Sequence, residues 1–239
     1  MGTPLFEFLP FAYITTILLI VTVVLFLLSK PLSDRQVQQL ARKRRRRLIE
    51  HYFRPSRFAY HPDRRFKSKL KADGEFYPLS LDVDQVASYV ANLLKYKKHE
   101  WVVLVFLKDR VAKFMWANKG IDRTQVSTLL PEHLTVRMAI DNDCNVVMKF
   151  HNHPASQPHR YRYNSPSKAD SRSAAALSGV LASRGISCAM HVCERGRAYR
   201  YHRIVSPRLF PLDGVQEQVA SLNGMSAWQN IRLHLELFL

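Results

Sequence analysis

The chain has 239 residues and a formal net charge of +17, from 36 Lys and Arg against 19 Asp and Glu. That length suits one core of ordinary size with appendages rather than a string of domains. Cys144, Cys188 and Cys193 are an odd count at no zinc-finger spacing, which speaks against a disulfide framework and fits free thiols in a reducing compartment.

The charge is unevenly spread. Residues 30–75 carry 15 basic and 5 acidic side chains, an excess that points to a membrane surface before it points to nucleic acid. Just ahead of it, Phe8 to Ser29 holds no charged residue and Phe11–Leu28 is almost wholly apolar. About 18 to 20 such residues, at ~1.5 Å each in a helix, cross a ~30 Å hydrocarbon layer. Residues 1–29 are therefore expected to be a transmembrane anchor. A cleaved signal peptide is the competing reading, but no basic residue precedes the run and no small-x-small pattern follows it. Glu7 lies before the run, and Lys30, Arg35 and Arg42–Arg47 lie after it. The positive-inside rule then gives a single-pass membrane protein with its C-terminal domain in the cytoplasm.

Residues 30–80 read as a polybasic juxtamembrane helix and linker. Ser33 with Gln36 is a capping-box pattern, and Val37, Leu40, Ala41, Leu48, Ile49 and Tyr52 recur at helical spacing, so a helix is expected over Asp34–Tyr52. Its Arg42–Arg47 run is expected to meet anionic lipid, or simply to fix topology. Pro55, Pro62, Asp73-Gly74 and Pro78 make residues 53–80 a linker.

Residues 81–206 have the pattern of one α/β domain. Asp82 with Gln85 caps a helix carrying Val86, Val90, Leu93 and Leu94. Trp101–Leu107 is a continuous apolar run, as in a strand buried on both faces. Val111–Ala117 returns as a hairpin, Pro131 opens a helix running to about Asp141, and Asn145–Phe150 is a strand that delivers His151. Ser167–Arg184 is a helix closed by Gly185, and Ile186–Cys193 and Ala198–Val205 are two further strands. The order gives a mixed β-sheet sandwiched by helices. In the C-terminal extension, residues 207–239, a helix is expected over Val215–Leu222. The alternation of Ile231, Leu233, Leu235 and Leu237 suggests a final strand, with a helix as the alternative.

The chemistry gathers in Lys149–Asp170. His151 and His153 lie two apart at a strand end and so face one side, while Asn152 faces away. Asp170, one turn into the following helix, completes a three-ligand set for zinc, which leaves a position for water. Hydrolysis then needs an oxyanion donor, for which Ser167 is the candidate, and a base, for which Glu100 at the head of a buried strand is the candidate. Asp109 and Glu132 are the competing carboxylates. His191 and Cys193 also lie two apart, near Cys188, but a strand pair in the core accounts for them more simply than a second metal site.

His151-Asn152-His153-Pro154 followed by Ser165-Pro166-Ser167-x-x-Asp170, with a strand-borne glutamate some fifty residues upstream, resembles the JAMM (MPN-plus, JAB) zinc metalloprotease motif, in its RadC-like branch. The similarity runs from about Asp82 to the Ala198–Val205 strand. It implies an MPN/JAB, cytidine-deaminase-like fold, with His151, His153 and Asp170 on zinc, Glu100 as general base then acid, and Ser167 steadying the tetrahedral intermediate. It also implies hydrolysis of a peptide or isopeptide bond in a protein substrate, with a ubiquitin-like protein as one candidate. A nucleic-acid-associated RadC-like factor and a non-catalytic interaction module are the alternatives. Two features depart from the pattern: Ala155-Ser156 stands where Ser-Gly is usual, and the Ala155–Pro166 loop is longer, with His159, Arg160, Tyr161, Arg162 and Tyr163. That loop is expected at the rim of the metal site, where it would choose the substrate.

Overall fold

The computed structural model describes residues 5–154, 165–204 and 208–239. They form eight helices: α1 (Leu5–Leu28), α2 (Asp34–Tyr52), α3 (Arg64–Lys69), α4 (Val83–Leu94), α5 (Glu132–Asp141), α6 (Lys168–Ser183), α7 (Leu212–Leu222) and α8 (Ala227–Phe238). Six strands accompany them: β1 (Glu75–Asp82), β2 (Trp101–Lys108), β3 (Val111–Lys119), β4 (Val146–Asn152), β5 (Ser187–Glu194) and β6 (Arg197–Ile204). The chain divides into two compact units, Met1–Leu48 with Phe210–Leu239, and Ile49–Leu209.

The second unit holds a single six-stranded sheet in the order β1-β3-β2-β4-β5-β6. Only the β4–β5 pair is parallel; the other neighbours are antiparallel. Burial alternates sides along β2 and β4. Leu104, Phe106 and Val147 pack with Val136 and Ala139 of α5 and Ala174, Leu177 and Leu181 of α6. The interleaved Val103, Val105, Met148 and Phe150 are equally buried, on the face that α4 covers with its own apolar stripe. Covered on both sides, β2 needs an unbroken apolar run, and its sequence supplies one. Asp82 and Gln85 form the expected capping box of α4.

The segment 53–80, read as a linker, contributes the edge strand β1. Pro78 hid it, yet an edge strand tolerates proline because one row of its N–H groups has no ladder partner. Pro78 faces Phe114, and the register shifts directly after it. Gly74 makes the turn into this strand at φ +99°, where a side chain would run into the Trp116 ring.

In the first unit, Leu32, Val37, Leu40, Ala41, Val215, Val219 and Leu233 form a small core between α2, α7 and α8. Residues 231–237 are helical, against the strand expected from their alternation. Ser226 caps α8 by accepting from the Gln229 amide, and the buried Asn230, Leu233 and His234 follow helical spacing. Part of the basic run works inside this unit. Arg44 pairs with Glu236 through its Nε and Nη2, at 2.8 and 2.7 Å. Lys43 donates to the Leu237 carbonyl and Arg45 to that of Phe210.

The expected transmembrane anchor is corrected. Among the described residues no helix is long and apolar enough to cross a membrane. The membrane helix preceding the fold, the single-pass membrane location and the cytoplasmic placement of the C-terminal domain fall with it.

Gly74→Ala meets both a positive φ and an occupied space, and is expected to cost roughly 2–3 kcal/mol. A lowered urea midpoint with an unchanged slope would report that loss.

Candidate metal centre and active site

β4 lies at the middle of the sheet, and its α6-facing side changes character along its length. Val147 belongs to the core, Lys149 is half-buried, and His151 is buried at the end of the strand. Cross-strand register sets His151 opposite Val102, which brings Glu100, just ahead of β2, to the same end of the sheet. Asn152 turns to the other side, as expected. Its Oδ1 accepts from the Trp101 amide at 2.7 Å and its Nδ2 donates to the His99 carbonyl at 3.1 Å. The two bonds bracket Glu100. The Glu100 backbone also donates to the Asp122 carbonyl and accepts from the Gly120 amide, so the residue is held along the chain on both sides.

Asp170 arrives from α6. Ser167 is the N-cap of that helix: its Oγ accepts from the Asp170 amide at 3.1 Å, and Asp170 Oδ2 accepts from the Ser167 amide at 2.7 Å. This reciprocal cap fixes the carboxylate while leaving its oxygens in reach of the imidazoles. His151 Nε2 lies 2.9 Å from His153 Nε2 and 3.4 Å from Asp170 Oδ1, and His153 Nε2 lies 3.6 Å from Asp170 Oδ2. The Tyr201 ring packs edge-on to His151, 6.1 Å between centroids.

The donor set fits a divalent ion. Two imidazole nitrogens and a carboxylate converge, the donor types that one such cation takes. Ligands about 2.0–2.1 Å from a tetrahedral zinc stand about 3.3–3.4 Å apart, close to the three separations found. Among the described residues His151, His153 and Asp170 are the one group of this kind. His191 and Cys193 join no such group. His191 instead stacks on Phe150 at 4.6 Å, in keeping with a core strand pair.

The electrostatics follow from burial and charge. Burial favours the neutral acid at Asp170, but hydrogen bonds from His151 and His153 outweigh it and hold the carboxyl far below the usual range. Burial lowers the His151 imidazole and keeps it neutral, the form in which it ligates metal. Glu100 is 7% exposed. Burial pushes its carboxyl up to about 7, with His153 opposing and Asp170 and Asp122 adding to the rise.

Two clefts meet at this centre, of about 450 and 860 Å³, and Glu100, Thr124, Ser167 and Asp170 line both. His151, Lys149 and Tyr201 open onto the smaller. His153, Pro154, Lys95, Lys98 and Arg123 open onto the larger. The structure thus brings together all five residues singled out from the sequence. The competing carboxylate Asp109 is instead the residue at the β2–β3 turn whose amide donates to Asn145. Sequence reasoning missed Asn152 as a clamp, and it missed Lys149 and Tyr201. Lys149 was visible as a lone cation inside an apolar strand. Tyr201 was not, because it is the unpaired residue of a bulge between the Met190↔His202 and His191↔Arg200 pairs. Of the long loop expected at the rim, residues 155–164 lie outside the described residues.

Residues 81–199, about half of the chain, match the family model of the RadC-like JAB domain, which supports the RadC-like JAB family for this part of the chain. Comparison with curated proteins returns no match.

Two measurements probe the site. Asn152→Ala strands the Trp101 amide and the His99 carbonyl and is expected to cost roughly 2–4 kcal/mol, read as a fall in the urea midpoint. Glu100 tests the electrostatics. Its folded pKa of about 7 lies above the ordinary 4.5, so its contribution to stability is full below about 4.5 and is lost as pH rises through 7. In chelator-treated protein, Glu100→Gln should leave the midpoint near the wild-type value at pH 4.5 and raise it at pH 8. Equal midpoints at pH 8 would contradict the assigned burial.

Proposed function

We propose that this chain is a zinc-dependent peptidase or isopeptidase, hydrolysing a peptide or isopeptide bond in a protein substrate. One observation carries the reading: His151, His153 and Asp170 converge within ligand distance of one another beside the buried carboxyl of Glu100, where two clefts meet. The family match supports it, since the JAB domain family includes metalloproteases.

His151, His153 and Asp170 would hold the ion. When bound, zinc supplies a Lewis acid that polarises a carbonyl and lowers the pKa of water. The remaining work falls to the chain itself. The reciprocal Ser167–Asp170 cap keeps the third ligand in place. Burial keeps His151 neutral. Glu100, with its carboxyl near 7, accepts the proton of the attacking water and passes it to the leaving nitrogen as the carbon–nitrogen bond breaks. Ser167 uses its oxygen to accept from the Asp170 amide, which leaves its O–H to donate to the oxyanion.

Elemental analysis of the full chain should find one zinc per chain, lost in His151→Ala. Glu100→Gln should keep the zinc and lose on the order of 100-fold or more in turnover. Turnover is read on a mixed library of short peptides and lysine-branched isopeptides. A metal-free wild type, or wild-type rates in Glu100→Gln, would overturn the proposal.

A further inference from the structure

We propose that Lys149 and Ser173 form a carboxylate-binding subsite one residue beyond the metal ligands, so that the bond cleaved is the one preceding a free C-terminal residue. This rests on the peptidase reading of the same site and narrows it to removal of a terminal amino acid.

The geometry is that of two rungs between β4 and α6. The first joins His151 to Asp170 at 3.4 Å. The second joins Lys149 Nζ to Ser173 Oγ at 3.2 Å. On the strand the rungs are two residues apart, about 6.6 Å. On the helix they are three residues apart, about 4.5 Å. Both lie in the smaller cleft. In a substrate, the scissile carbonyl carbon and the carboxylate carbon of a single following residue are three bonds apart, about 3–4 Å. Adding a contact of about 2.8 Å to the cation, one residue matches the backbone spacing of the rungs.

The cation itself needs explaining. Lys149 sits in a central strand opposite Leu104 on one side and Met190 on the other, and both are fully buried. Lys149 itself is half-buried in the wall of the cleft, where an ammonium attracts a negative charge more strongly than in open water. Among the described residues Lys149 makes no ion pair, and its partner is the neutral hydroxyl of Ser173. Of the carboxylates lining the cleft, Asp170 is turned to the two imidazoles, Glu100 is bracketed at the head of β2, and Glu132 is exposed at the start of α5. A ligand carboxylate supplies the missing charge, with Ser173 as a second donor. Leu130 and Leu177 on the same walls suit an apolar side chain on the terminal residue.

The test uses the full chain and two probes, N-acetyl-Gly-Leu and its C-terminal amide, with dissociation constants from ligand-observed NMR. Metal-depleted protein is the primary sample, because there the probe's carboxylate has no ion to ligate. The acid should bind wild type about tenfold or more tighter than the amide. Lys149→Met should abolish that difference and leave amide binding unchanged, and Lys149→Gln, measured alongside with circular dichroism on both, guards against a misfolded variant. Equal binding of acid and amide to wild type overturns the proposal, as does a preference that survives both substitutions. Inorganic phosphate displacing the acid at lower concentration than the acid itself binds would mark a phosphate site and also overturn it. Zinc content and turnover are read separately. Turnover without acid preference removes this subsite alone, and acid preference without zinc removes the peptidase reading.

Discussion

The two hydrogen bonds from Asn152 to the backbone on either side of Glu100 are the constraint on which the site depends. β4 ends at this residue, and β2 begins beside it. Sheet register alone brings the two strand ends together, but strand ends fray, and a carboxylate on a fraying end has no fixed relation to a metal. Asn152 replaces the ladder where the ladder stops. Its amide mimics a backbone peptide, offering one donor and one acceptor to His99 and Trp101. The residue between His151 and His153 therefore faces away from the candidate metal centre yet secures Glu100 beside it.

The same economy appears at α6. A helix N-terminus has unpaired amides and favours negative charge. Ser167 and Asp170 answer both demands, and Asp170 does so without giving up its approach to the imidazoles. A capping carboxylate is ordinarily free to rotate toward solvent. Here the Ser167 amide holds one oxygen, so the helix's local stability and the ligand's aim are one interaction.

Much of this was legible in the sequence, and the exceptions have physical causes. α2 could be read from helical spacing, β2 from its unbroken apolar run, and α6 from Ser167 and Gly185, because each is specified by local pattern. His151, His153 and Asp170 were legible because strand and helix periods fix which side chains share a face. β1 was hidden by Gly74 and Pro78, which are turn residues everywhere except at a sheet edge. α8 was misread because four alternating apolar residues satisfy the strand period, while its buried set of Asn230, Leu233 and His234 includes polar residues that a hydropathy pattern discounts. The first helix was read from apolar length in the sequence, but among the described residues no helix is long and apolar enough to cross a membrane. Tyr201 depends on a bulge, which is a property of strand pairing and leaves no local trace.

Charge was the least legible quantity, because a sequence shows how much there is and not what it faces. The Arg42–Arg47 run dominated the composition, yet Lys43, Arg44 and Arg45 are engaged with α8 and Phe210 inside their own unit. Lys149, one cation among 36 basic residues, carried no weight in any count. Its place in a buried strand makes it the more informative of the two. An exposed arginine run is screened within a Debye length and contributes little at any one position. A half-buried ammonium in the wall of a cleft is screened less than one on the open surface, so an anion that reaches it is held more strongly.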